Sequence, residues 1–198
     1  MTSAADKPLG NKLGWRVHQS EFVYTSPWFS VRSDQVSFPN GRSGTYSYLE
    51  HPGSVFVVPI LQDGRVVLIR SYRYTLDAFC WEIPAGRIEQ GQTPEQCARA
   101  ELEEEIGAHT DSIEHLTTLH IANGFARCPC SFYLATNVTL DSNTNHEDGE
   151  TITNIEAVSF DEAMIRLTKP SQADKEEGDA DSALALLLAA QRLHEFHP

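Results

Sequence analysis

Apolar and polar positions change period several times along the 198-residue chain. Residues 15–51 alternate in short runs, with Val31, Val36, Phe38 and several tyrosines separated by turn residues such as "PNG" at 39–41. That pattern predicts short strands joined by tight turns. "SVFVVPIL" (54–61) and "RVVLIRSYRY" (65–74) flank "QDG" and predict a hairpin. In its second strand Val66, Leu68, Arg70 and Tyr72 share one face, and Val67, Ile69, Ser71 and Arg73 the other. A helix then opens with Thr93 as N-cap, Pro94 at its first position and Gln96 completing a capping box; Gly107 closes it. Strands are expected at about 115–122, 131–139 and 152–160, and "SFDEAMIRL" begins a short helix. The polar run 168–182 reads as a mobile loop, and a last helix over about 181–195 is capped by Asp179 or Asp181. Antiparallel strand signals mixed with two or three helices predict an α+β fold, or a sheet sandwiched by helices.

Composition narrows the partners. Lys and Arg number 15 against 28 Asp and Glu, a formal net charge of −13. So acidic a chain is a poor general binder of nucleic acid or anionic membrane and a better holder of divalent cations. Its longest apolar run, "ALALLLAA" (183–190), falls far short of the roughly 20 residues that span a bilayer. The first fifteen residues contain no apolar signal-peptide core, so no secretory signal is expected. Cys80, Cys97, Cys128 and Cys130 have no disulfide-scaffold spacing, and "CPC" lacks a second pair to complete a tetrahedral metal site. Reduced thiols and a cytoplasmic location are the expectation.

The stretch "ARAELEEEIG" (98–107) carries the chemistry. At about 100° per residue, Glu105 lies about 40° and Glu104 about 60° from Glu101, whereas Glu103 falls on the opposite side. Three acids therefore converge, and Glu103 is expected to pair outward with Arg99, one turn before it. The acids sit in the last helical turn, where the macrodipole disfavours them, after a Gly/Pro-rich loop, "IPAGRIEQGQTP". Clustered carboxylates beside loop carbonyls suit a hard divalent cation with positions left for phosphate and water.

These residues resemble the Nudix box, G-x5-E-x7-R-E-U-x-E-E-x-G-U, in which U is a bulky aliphatic. "GRIEQGQTPEQCARAELEEEIGA" supplies Gly86, Glu101, Leu102, Glu104, Glu105 and Gly107 in register. Gln92, Ala100 and Ala108 stand where that family has Glu, Arg and a larger residue. In Nudix folds the first two of those family residues typically pair to brace the loop on the helix. Losing both leaves no orphaned charge, so a looser loop and a slower enzyme are expected, not a dead one. "VVLIRSYRY" and "WEIPAGRIEQGQTP" resemble the ADP-ribose pyrophosphatase branch, as do the earlier strands and "GDADSALALLLAAQRL".

The resemblance implies a Nudix fold, a mixed sheet between helices over residues 54–198, with a small antiparallel β-subdomain over 1–53 for dimerisation and base recognition. It implies Glu101 and Glu105 as chief Mg²⁺ ligands (Mn²⁺ being the other candidate), with Glu104 beside them as a metal ligand and catalytic group, and the Ala85 carbonyl. Arg73 is a phosphate contact or the partner of Glu82, both at the substrate site. A loop glutamate serves as general base: Glu150, with Glu147 in reserve. Trp28 and Tyr46 lie where rings would stack on the base. "NGFARCPCSFYLA" departs from the Gly-rich, often acidic loop of the branch.

The implied activity is hydrolysis of the diphosphate of a nucleoside diphosphate sugar, ADP-ribose giving AMP and ribose 5-phosphate, by a homodimer. GDP-mannose or another nucleotide sugar is the alternative within the class. A non-hydrolysing nucleotide-sugar sensor is the alternative outside it, favoured by Gln92 and Ala100 and opposed by the intact Glu101, Glu104 and Glu105.

Overall fold

The computed structural model describes residues 7–140 and 151–195. In chain order the elements are α1 (Pro8–Lys12), β1 (Arg16–Thr25), β2 (Ser30–Ser37), β3 (Ser43–Glu50), β4 (Ser54–Leu61), β5 (Val66–Arg73), β6 (Ala78–Glu82) and β7 (Ala85–Arg87). There follow α2 (Pro94–Ile106), β8 (Ala108–His109), β9 (Ser112–His120), β10 (Ala126–Arg127), β11 (Pro129–Leu140) and β12 (Ile152–Val158). The chain ends in α3 (Phe160–Thr168), a 3-10 turn (Gln172–Asp174), β13 (Glu176–Glu177) and α4 (Ala180–Glu195). Among the described residues no helix is long and apolar enough to cross a membrane.

The chain divides into two compact units, one of residues 1–53 with 120–129 and the other of 54–119 with 130–198. In the first, a sheet is ordered β1-β2-β3-β10. Its two hairpins are antiparallel, with Ser20 opposite Asp34 and Asp34 opposite Tyr46. The second turn is "PNG", and Gly41 takes the positive φ of +81° that an L side chain resists. Asp34 is buried yet satisfied, since the Ser20 hydroxyl donates to it and Lys7 Nζ lies 3.8 Å away. The short β10 joins this sheet alongside β3; it is a two-residue strand with no periodic signature in the sequence.

In the second unit a nine-stranded mixed sheet runs β13-β6-β5-β4-β11-β8, with β12 beside β5, β7 beside β4 and β9 beside β11. β4 pairs in parallel with β11, a long-range match that puts Cys130 opposite Ser54. Val55, Val57, Val67 and Ile69 meet Cys97, Ala98, Leu102 and Ile106 of α2 in one buried cluster, while α4 also packs on β4. The expected sheet between helices is the fold observed.

Two expectations are corrected. The run 168–182 is not merely a loop: it contains the 3-10 turn and β13, which pairs in parallel with β6. Glu176 is buried there, accepting from Arg70 Nε at 2.8 Å and from the Trp81 indole at 3.1 Å. A charged run reads as solvated by composition, but partners roughly a hundred residues away hold this one. Arg99, for its part, does not pair with Glu103. It bonds Glu95 through Nε (3.1 Å) and Nη2 (3.0 Å) and donates to the Thr110 carbonyl at 2.8 Å. Both acids lie one turn away, and the glutamate on the N-terminal side has the better orientation for the pair.

Candidate active site

α2 is anchored at both ends. The Thr93 hydroxyl accepts from Gln96 N–H at 3.2 Å, and Gln96 Oε1 accepts from Thr93 N–H at 2.9 Å. Gly107 closes the helix in the left-handed region at φ +58°. Buried Cys97, Ala98, Leu102 and Ile106 turn one face to the sheet, and Glu105, 3% exposed, lies on the edge of that face. Glu101 and Glu104 are half-buried, whereas Glu103 is exposed.

The acidic face docks on β7. Glu105 Oε2 accepts the Ala85 N–H at 2.9 Å. The Glu101 carboxylate lies against Gly86, so closely that a Cβ at that position would stand 1.6 Å from Oε1. Cys97 Sγ donates weakly to the same Oε1 at 3.9 Å. Burial, aided by the Glu101 carboxylate, pushes the Cys97 thiol up to about 12, so it stays protonated. The groups brought to β7 are therefore oxygens, the Glu101 and Glu105 carboxylates, to which the expected set adds Glu104 and the Ala85 carbonyl. That set fits a hard divalent cation, and Gly86 leaves room for the Glu101 carboxylate to reach it. Among the described residues no three acidic, His or Cys side chains are already gathered around one point. A cation that keeps several waters and takes its remaining ligands from substrate phosphates needs no such cage.

The loop that carries Ala85 is held from several sides. Pro84 O accepts Val57 N–H at 2.9 Å, and Ala85 and Gly86 lie opposite Phe56 and Val55 of β4. Ser182, fully buried at the start of α4, accepts the Ile83 N–H at 3.1 Å, while Asp179 Oδ2 caps the helix by accepting Ser182 N–H at 2.8 Å. Of the two caps expected, Asp179 is thus the one formed. Ser182→Ala leaves the Ile83 N–H buried without its acceptor. A loss of about 1–3 kcal/mol in urea unfolding is expected; an unchanged midpoint would mean that the loop does not depend on α4.

Arg73 has the second of its two expected partners. Its Nε and Nη2 clasp the Glu82 carboxylate at 2.7 and 2.5 Å. Burial pushes the Glu82 carboxyl up and Arg73 pulls it back down, while the carboxylate holds the guanidinium firmly protonated. Beside this pair lies a cavity of about 380 Å³, reached also by Ala85, Gly86, Arg87 and Asp179. Sequence reasoning missed Ser182 and Arg87. "GDADS" signalled a cap but carried no sign of its contact with Ile83.

Gln92, where the resembled pattern has Glu, braces its own loop. Its Oε1 accepts Glu89 N–H at 3.0 Å, and its N–H donates to Glu89 O at 3.1 Å. These bonds lie within the loop itself; an uncharged amide satisfies a backbone donor there without needing a partner at position 100.

The proposed base-stacking residues belong to the first unit. Trp28, 64% exposed, sits in the turn between β1 and β2. Tyr46, 41% exposed, lies in β3, its hydroxyl donating to Gly124 O at 3.3 Å and its ring edge-on to Trp15. Tyr46 stands opposite Asp34, roughly 13 Å along β2 from Ser30, the strand's first residue after the Trp28 turn. Tyr46 lines a groove of about 600 Å³ with Trp15, Tyr48 and Phe125, none of which sequence reasoning had selected. Glu147 and Glu150 lie outside the described residues.

A carboxylate-edged helix lies against a Gly/Pro loop on a helix-flanked mixed sheet, an arrangement whose oxygens suit hard cations and phosphate. Residues 50–180 match the family model described as NUDIX domain, and residues 15–49 match that of the nucleoside diphosphate sugar hydrolase N-terminal domain. The chain belongs to the Nudix hydrolase family. It is 28% identical over 156 residues to the methanol dehydrogenase activator of Bacillus methanolicus, covering 79% of this chain and 84% of that protein. It is 26% identical over 144 residues to the ADP-ribose pyrophosphatase of Bacillus subtilis, covering 73% and 78%. A solved structure titled as an ADP compounds hydrolase has the same fold, with TM-score 0.76, 23% identity, and coverage of 92% of this chain and 96% of that one.

Proposed function

We propose that this protein hydrolyses the diphosphate of ADP-ribose to AMP and ribose 5-phosphate with Mg²⁺. The observation that carries this reading is the docking of α2 on β7, with Glu105 on Ala85 and Glu101 against Gly86. The substrate choice is supported by the B. subtilis relative named as ADP-ribose pyrophosphatase and by the nucleoside diphosphate sugar hydrolase match at 15–49. Glu101, Glu105 and the Ala85 carbonyl hold the cation, with Glu104 beside them. Bound there, Mg²⁺ neutralises the diphosphate and lowers the pKa of an attacking water. The Arg73–Glu82 pair stiffens the cavity wall next to the diphosphate, and Glu150 takes the proton from the water. Trp28 and Tyr46 stack on the adenine from two subunits of a homodimer, each ring worth about 1–3 kcal/mol. A dimer is supported by β1, an edge strand of the small sheet that leaves Phe22, Val23 and Tyr24 exposed. A cytoplasmic location is supported by four buried cysteines that keep their thiols instead of forming disulfides.

The test is a panel of nucleoside diphosphate sugars with Mg²⁺ or Mn²⁺ and identification of products. Brisk conversion of ADP-ribose to AMP and ribose 5-phosphate is expected. No turnover of ADP-ribose beside rapid turnover of GDP-mannose would overturn the assignment.

A further inference from the structure

Two arginines line the cavity beside Ala85 and Gly86, and they differ in what they have left to offer. Arg73 spends Nε and Nη2, one whole edge of its fork, on the buried Glu82. Arg87 makes no such bond. Among the described residues its guanidinium meets one carboxylate, Glu89 Oε1 at 3.6 Å, beyond hydrogen-bonding distance, on a side chain that is itself 66% exposed. So loose a surface ion pair costs little to exchange for another anion.

Backbone register puts Arg87 in the right place. Ala85 and Arg87 are two residues apart on β7, so their side chains leave the same face of the strand, roughly 7 Å apart along it. β7 is clamped to β4, with Ser54 opposite Arg87 and Phe56 opposite Ala85. The Arg87 side chain as a whole is 32% exposed, and Arg87 is one of the residues that line the cavity. The other charged side chains on the cavity wall are Glu82, Asp179 and Asp181. With Glu82 matched by Arg73, the wall still carries a surplus of negative charge, and a dianionic diphosphate entering it needs a cation from the chain as well as from bound metal. A planar guanidinium suits phosphate oxygens through two parallel bonds.

We propose that Arg87 is a substrate-binding residue that grips the diphosphate, and that Arg73 serves to position Glu82. The proposal rests on the reading of this cavity as the site of a nucleoside diphosphate sugar hydrolase, though on no particular base or sugar.

The experiment compares wild type with Arg87→Ala, Arg87→Lys and, as a control, Arg65→Ala, whose arginine pairs with Asp63 at a hairpin tip. Kinetics are measured on ADP-ribose, ADP-glucose and GDP-mannose, and binding of α,β-methylene-ADP and of adenosine by calorimetry. Arg87→Ala should lower kcat/KM about 10-fold or more, chiefly through KM, by a similar factor on every substrate the wild type cleaves. It should weaken α,β-methylene-ADP to match, leave adenosine and the melting temperature unchanged, and be partly rescued by Lys. Arg65→Ala should behave as wild type.

Wild-type kinetics and binding in Arg87→Ala overturn the proposal. So does a loss that follows a lowered melting temperature while α,β-methylene-ADP binding is intact, since Arg87 would then be structural. A wild type inactive on ADP-ribose but active on GDP-mannose, with that turnover still sensitive to Arg87→Ala, refutes the ADP-ribose assignment and supports the role of Arg87. Normal Arg87→Ala kinetics on ADP-ribose do the reverse. A wild type that neither cleaves any of the three nor binds α,β-methylene-ADP sinks both.

Discussion

Gly86→Ala should give a folded protein that has lost nearly all of its hydrolytic activity. The added Cβ would stand 1.6 Å from Glu101 Oε1 and 2.1 Å from Cδ, so the carboxylate must leave its place. It can do so cheaply in terms of stability, because it is the far end of a flexible side chain. Gly86 is not among the positive-φ glycines, so alanine adds no backbone strain. The cost falls on the chemistry. A ligand displaced by an ångström or more loses its alignment with metal and phosphate, and a fall in kcat/KM of about 100-fold or more is expected. Thermal melting should shift by only a few degrees. Steady-state kinetics and a melting curve on the same preparation check both halves. Retention of wild-type rate would remove Glu101 from the metal-binding set.

Glu105→Gln is the second large effect, and it isolates charge from shape. The amide oxygen can still accept the Ala85 N–H that Glu105 Oε2 now takes at 2.9 Å. The buried position therefore keeps its hydrogen bond and loses its negative charge, and the melting temperature should be unchanged or slightly higher. Turnover should fall by about 10²–10⁴-fold, the equivalent of several kcal/mol of transition-state stabilisation by the metal. Mn²⁺ affinity measured without substrate should fall as well. Tight binding of ADP-ribose with no cleavage by either wild type or Glu105→Gln would identify a sensor instead of an enzyme. Equal cleavage by both would leave Glu105 a purely structural acceptor.

Much of this site was legible before any fold was known, and for local reasons. Thr93, Pro94, Gln96 and Gly107 announce the ends of α2 because capping involves atoms three or four residues apart. The convergence of Glu101, Glu104 and Glu105 follows from helical geometry alone, and their graded burial beside exposed Glu103 agrees with it. The β4–β5 hairpin was equally visible, since its two apolar runs are separated only by a turn.

Choices among equivalent partners were not. Arg99 has an acid on either side, and Glu95 pairs with it while the Thr110 carbonyl also holds the guanidinium. Glu176 looks like any solvated acid until Arg70 and Trp81 close on it. Arg73 had two plausible roles until Glu82 was found buried beneath it. The membership of 120–129 in the first unit and the contact of Ser182 with Ile83 likewise join segments far apart in sequence.

The sequence by itself determined the acidic helix, its caps, the face its glutamates share and the glycine-containing loop before it, because each depends on chain periodicity over a single turn or hairpin. Only the tertiary structure decided which groups those acids touch and that Arg73, not Arg87, is spent on Glu82, because those outcomes depend on burial and hydrogen-bond competition among residues that only folding brings together.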